Sequence, residues 1–297
     1  MRVLIGGASG LIGSELTTEL EAAGHEVLKL VRRPQTAAGE HHWAPAARMI
    51  DVTVMDRVDA VVNLSGATLS RLPWTKSYQR QILSSRLDAT HTLTDAMRMA
   101  ANPPTVFVSA SAVGFYGDRP GQTLTEASIK GTGFLSDLVE SWETAAHLAP
   151  EKTRVATVRS GVVVGHGGAM KPLLPMAKLG LLGPVGGGGQ QWPWISLRDE
   201  AAAIVHLLTS STLSGPVNAV GPTPATADVV LRALARAVHR PYGIPLPGKV
   251  VELALRDGGH ELLLSSQRVI PQKLLDDGFV FTDKTVQDAM NWLVASA

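Results

Sequence analysis

The strongest constraint on this chain is the run Gly6-Gly7-Ala8-Ser9-Gly10-Leu11-Ile12-Gly13, which follows the apolar segment Arg2–Ile5. Glycines at such a junction suit a backbone that turns sharply from a buried strand into a helix. Leu11–Ala23 carries Ile12, Leu16 and Leu20 on one side at helical spacing, and Gly24 is a suitable stop. Val27–Val31 reads as a second strand, ended by Arg32-Arg33-Pro34. Strand, helix and strand within about thirty residues imply a parallel pair. In that context the glycine spacing predicts a dinucleotide site, with a bare tight turn as the alternative. Gly7 allows the turn, Gly10 admits a pyrophosphate to the backbone, and Gly13 lets helix and sheet approach. The first helical turn, with Leu11 and Ile12, offers free N–H groups and the positive end of the helix dipole.

The end of the second strand selects the cofactor. NAD sites place Asp or Glu there to bind the ribose hydroxyls, whereas this chain has Arg32 and Arg33. A cation at that point pairs with a 2′-phosphate, so NADP is expected rather than NAD. An ordinary exposed basic turn is the alternative.

Further along, Ala60–Leu64, Thr105–Val108 and Arg154–Val158 read as buried strands, and Tyr78–Met99 and Phe134–Leu148 as helices. Alternation of this kind predicts an α/β, Rossmann-type doubly wound parallel sheet. We expect a Rossmann domain over residues 1–225, with a substrate-side insertion at about 166–192. A small C-terminal domain, residues 226–297, is expected to pack on it. Helical periodicity continues in Arg198–Leu208, Ala227–Val238, Val250–Leu255 and Thr285–Leu293, and Trp192–Ile195 reads as a short strand.

Composition excludes several chemistries. There is no cysteine, so disulfides, thiolate nucleophiles and cysteine-held metals are impossible. Net charge is +1, which gives no basic footprint for nucleic acid. No apolar run suggests a membrane span, and no paired metal-ligand motif stands out around His41-His42 or His260-Glu261. A reducing cytoplasm fits this composition.

Several motifs resemble the extended, epimerase-like side of the short-chain dehydrogenase/reductase superfamily. They are Gly6–Gly13, Asp59–Gly66 (DAVVNLSG), Ser84-Ser85-Arg86, Val108–Gly117 (VSASAVGFYG), Arg159–Gly165 (RSGVVVG) and Gln190–Asp199 (QQWPWISLRD). More narrowly, with Ile244–Pro247 and Ser265–Leu274, the chain resembles the epimerase family proteins described as NAD-dependent epimerase/dehydratase-like, which carry a short C-terminal domain. The resemblance implies that Leu64, Ser65 and Gly66 line the adenine and ribose side and that Arg86 contacts the cofactor. It places Val162 at the nicotinamide end, and it implies homodimers through paired helices.

The superfamily's chemistry uses Ser/Thr, Tyr and Lys, with Tyr and Lys at i and i+4 on one helix. Here Phe134 and Leu138 stand at those positions, and none of Tyr78, Tyr116 and Tyr242 is followed by Lys at i+4. Ser111 matches the serine. Tyr116 is the remaining candidate acid, or a ring packed under its loop with a satisfied hydroxyl. Asp118 and Glu126 read as solvated loop positions, and Asp199 as a helix cap. Trp192 and Trp194 are either an apolar wall for a ligand or anchors to the core. The expected function is an NADP-dependent, epimerase-like oxidoreductase acting on a small polar substrate. The alternative is an NADP(H)-binding redox sensor or scaffold without turnover.

Overall fold

The computed structural model describes residues 1–296. Its first half runs β1 (Arg2–Gly6), α1 (Leu11–Ala22), β2 (Glu26–Val31), β3 (Glu40–Ala44), β4 (Met49–Ile50), β5 (Ala60–Asn63), α2 (Lys76–Met99), β6 (Val106–Ala112), β7 (Thr123–Leu124) and α3 (Phe134–Ala146). The second half runs β8 (Arg154–Ser160), β9 (Val162–Val164), α4 (Met170–Lys178), β10 (Trp194–Ser196), α5 (Leu197–Thr209), β11 (Gly215–Ala219), α6 (Ala227–Ala237), α7 (Gly248–Gly259), β12 (Arg268–Val269), α8 (Gln272–Asp276) and α9 (Val286–Ala295).

The main sheet has the order β11-β8-β6-β5-β1-β2-β3-β4, and every pairing is parallel except β3 with β4. Strand order reverses between β1 and β5, where a doubly wound sheet opens its ligand crevice. The central strands are continuous apolar runs because both sheet faces are covered. One face packs Val3, Ile5, Val62 and Val108 against Leu16 and Leu20 of α1 and Ile204 and Leu207 of α5. The other packs Leu4, Val61 and Phe107 against Leu93 and Met97 of α2. A second core joins Trp192 and Trp194 to Leu231 and Leu234 of α6 and Met290 and Leu293 of α9. That core draws on both sides of the boundary expected at 225/226.

β6 runs past the expected Thr105–Val108 because Ser109 and Ser111 continue the ladder opposite Thr157 and Arg159 of β8. The unanticipated β11 begins Gly215-Pro216, a pair that reads as a turn but is tolerated on the outermost strand of a sheet. Trp194 is 1% exposed and donates its indole N–H to Thr223 O, and Trp192 donates to Leu263 O. Both tryptophans are core anchors. No helix among the described residues is long and apolar enough to cross a membrane.

One carboxyl sits inside the first core. Glu200 of α5 is 1% exposed, accepts a 2.5 Å hydrogen bond from Ser160 Oγ, and has no partner for Oε2. Burial pushes it up from 4.5 to about 7, partly offset by the Ser160 donor. Between those two values the folded protein keeps a proton that the unfolded chain releases. Stability is therefore expected to fall by about 2–3 kcal/mol as pH rises through that window, and to level off above it. Glu200→Gln keeps an acceptor for Ser160 and should flatten the slope, which urea unfolding at pH 5 and pH 8 will measure. An unchanged slope in the variant would assign the effect elsewhere.

Candidate functional site

The site grows from the β1–α1 turn. Gly7 has φ +85°, and a Cβ on it would lie 2.8 Å from Leu64 C, so the Leu64–Ser65 backbone passes directly against the turn. A Cβ on Gly13 would lie 2.3 Å from Gly7 O, so only glycine lets α1 start this close to the strand. Gly10 is the N-cap of α1. No side chain caps the helix, and its first turn carries no acid. The N–H groups of this turn, including those of Leu11 and Ile12, are left open to an anion. The segment after β8 folds back here, because Gly165 and Gly167 pack against the Leu11 side chain. Val162 opens β9 opposite Trp194 of β10, with its N–H bonded to Pro193 O at 2.7 Å.

The next element is a cation. Arg86 of α2 is 8% exposed, and its Nη1 donates to Ala67 O and Ile82 O, each at 3.0 Å. Its Nε finds no acceptor, and among the described residues no carboxylate pairs with it. Burial pushes the guanidinium down to about 10, so it stays charged at neutral pH. A Cβ on Gly66 would lie 3.1 Å from Arg86 Cζ, so the cation sits against the strand-end loop. Ser65 Oγ beside it is also buried without a partner. Buried polar atoms are nearly always satisfied, and two orphans at one strand end fit a bound polar group. The glycine turn, the open helix end and Arg86 together fit the phosphates of a dinucleotide.

The two arginines after β2 behave differently. Arg33 is engaged with Glu40, and Arg32 is exposed with no partner among the described residues.

The expected catalytic side chains are brought together, but into the interior. Ser111 Oγ donates to Glu143 Oε1 at 2.6 Å. Arg159 grips Glu143 through Nε and Nη2, each at 2.8 Å, and its Nη1 donates to the Tyr116 hydroxyl at 3.0 Å. Tyr116 is fully buried and donates to Asn218 Oδ1 at 2.7 Å. Burial pushes its hydroxyl up, against the influence of Arg159. Of the two readings of Tyr116, the packed ring with a satisfied hydroxyl is the one seen, and Ser111, expected as the superfamily's serine, is likewise turned inward. Each spends its proton on an internal acceptor, and neither side chain is open to a ligand. The expectation that Glu126 is a solvated loop position is corrected, because it is 9% exposed and accepts from the backbone N–H groups of Asn218 and Lys273. Asp118 stays at the surface and accepts from Ser266 N. Asp199 takes backbone N–H bonds from Thr282 and Asp283, tying the C-terminal segment to α5.

Phe134 and Leu138 open α3. Phe134 lies edge-on to Trp74 at 5.7 Å, and Leu138 is 3% exposed. The N–H groups of Phe134 and Leu135 both donate to Glu261, each at 2.8 Å. Asp257 accepts from Gln79 of α2, and Gly258 packs against Leu72 and Trp74. The C-terminal segment thus covers the helix end where the superfamily's tyrosine would stand. Sequence reasoning missed Glu143, Asn218 and Glu261. Glu143 had a signal, since Arg159, set between the buried-strand segment Val155–Val158 and the apolar run Val162–Val164, needs a carboxylate opposite.

The sequence profile of the NAD dependent epimerase/dehydratase family matches residues 3–221, and that of a domain of unknown function (DUF1731) matches residues 246–293. Epimerase family protein Mb2239 of Mycobacterium bovis is 39% identical over 292 residues, covering 98% of this chain and 96% of that protein. Epimerase family protein SDR39U1 of Homo sapiens is 37% identical over 299 residues, covering 99% of this chain and all of that protein. The crystal structure of human SDR39U1 (isoform 2) with NADPH superposes with a TM-score of 0.92 at 35% identity, over 100% of both chains.

The buried network makes a graded prediction. Arg159→Met strands Glu143 without a cation and should cost about 3–5 kcal/mol of unfolding free energy. Tyr116→Phe removes one neutral donor and should cost about 1–3 kcal/mol. Chemical denaturation ranks the two, and equal losses would deny the ion pair its leading role.

Proposed function

Because the chain belongs to the NAD dependent epimerase/dehydratase family, we propose that it binds NADP(H) and handles hydride without a side-chain proton donor of the usual Tyr–Lys type. The observation that carries this reading is the buried Arg86 without a carboxylate partner, packed on the Leu64–Gly66 loop whose other side touches the β1–α1 turn. The presence of NADPH in the human SDR39U1 crystal structure supports it. When bound, NADPH supplies a hydride for an electrophilic carbon.

The residues of the chain then divide the work. The α1 N–H groups and Arg86 hold the pyrophosphate, and Arg32 holds the 2′-phosphate. Gly66 lets the dinucleotide pass close to Arg86, and Val162 bounds the nicotinamide end. Phe134 and Leu138 contribute apolar surface and move no proton. Ser111 and Tyr116 keep α3 and the Tyr116 loop in register. The proton for a reduced product comes from solvent or from the substrate itself, a small polar molecule. This combination is an epimerase-like oxidoreductase. A second reading, a redox sensor that binds NADP(H) without turnover, is favoured by the internal pairing of both hydroxyls.

Calorimetric titration with NADPH and NADH tests the reading. NADPH should bind more tightly to the unaltered protein. Arg32→Ala should weaken NADPH about 10- to 100-fold and leave NADH nearly unchanged. Arg86→Met should weaken both. Binding of neither dinucleotide would overturn the proposal.

A further inference from the structure

The β2–β3 loop carries adjacent arginines, and only one of them is free. Arg33 Nη1 and Nη2 meet Glu40 Oε2 and Oε1 at 2.8 and 2.5 Å. The same Nη1 reaches Pro34 O at 2.9 Å and Thr36 Oγ1 at 2.7 Å. Glu40 also accepts from Thr36 N at 2.9 Å, and its side chain is 12% exposed against 52% for Arg33. Arg33 is the main reason the Glu40 carboxyl lies as low as about 2, with the Thr36 N–H next. Glu40 is therefore ionised at every working pH. It lies within one arginine side chain of the backbone that carries Arg32.

A fixed carboxylate at this point is a paradox for a 2′-phosphate site, because like charges repel there. We propose that Arg33 is not a phosphate ligand but a shield: it cancels the charge of Glu40 and shapes the loop, so that Arg32 alone reads the 2′-phosphate. The inference rests on the NADP(H) reading above. The geometry favours it over a swing of Arg33 to the cofactor. Such a swing would break the bidentate pair and the Pro34 and Thr36 contacts together, and would expose the bare carboxylate beside a phosphate carrying nearly two negative charges. Arg33 and Glu40 are thus positioning residues that set cofactor preference. Arg32 is the contact.

The shield makes a signature that direct contact does not. At low ionic strength, where charges act across about 30 Å, Arg33→Ala should weaken NADPH roughly tenfold and NADH little. Adding Glu40→Gln to Arg33→Ala removes the unmasked charge while keeping an acceptor for Thr36, and should restore most of the NADPH affinity. The same second change added to Arg32→Ala should restore little. Dissociation constants for both dinucleotides, measured by titration on the full chain, give the comparison. Carbon-13 NMR of the Glu40 carboxyl in the ligand-free protein adds a readout without cofactor. It should titrate far below the usual range in the unaltered protein and return toward it in Arg33→Ala. Persistent loss in the Arg33→Ala/Glu40→Gln pair, with NADPH preference intact in the unaltered protein, overturns the shield alone. Absence of any NADPH preference in the unaltered protein overturns the cofactor reading and the shield together.

Discussion

An arginine on a strand buried inside a parallel sheet is strongly unfavourable unless a carboxylate meets it, and Glu143 meets Arg159 with two hydrogen bonds. That pair lies between α3 and the ends of β6 and β8 and sets how the helix sits on the sheet. It recruits the nearest hydroxyls to complete its coordination. Ser111 gives its proton to Glu143, and Tyr116 accepts from Arg159 while donating to Asn218. The guanidinium also stacks on Phe115 at 3.6 Å. The serine and the tyrosine that stood as catalytic candidates are thereby engaged by one electrostatic requirement of the fold.

The opposite imbalance holds on the cofactor side. Where Arg159 is over-satisfied, Arg86 is buried with backbone carbonyls for company and no counter-ion. A desolvated cation without an anion is costly, and a phosphate is the kind of ligand that would offset that cost. The α1 terminus has the same character, with orphan N–H groups and no acidic residue to quench them. On the NADP(H) reading proposed above, affinity for a dinucleotide is stored as incomplete satisfaction of these groups.

The C-terminal part completes the enclosure by satisfying another helix end. Glu261 places its carboxylate on the first N–H groups of α3, and burial pushes that carboxyl up despite these bonds. Gln190 and Trp192 bond to Leu263 O, so the same segment is tied to the second core. The region matched by a domain of unknown function is therefore a structural wall on the end of α3.

The doubly wound sheet, the glycine turn and the basic end of β2 were legible from the residues alone. These are local matters of apolar periodicity, a backbone approach only glycine permits, and side chains whose place follows from their strand. The sequence also showed that Phe134 and Leu138 cannot move a proton, since residue type alone decides that. What polar groups do once buried depended on the folded chain. Ser111, Glu143, Arg159, Tyr116 and Asn218 come from β6, α3, β8, the loop after β6 and β11, and no spacing rule brings five such segments together. The same holds for Arg32 and Arg33, neighbours of one type in sequence. Only the arrival of Glu40 from the adjacent strand makes one of them a shield and leaves the other free, because a charge takes its role from the partner it meets in space.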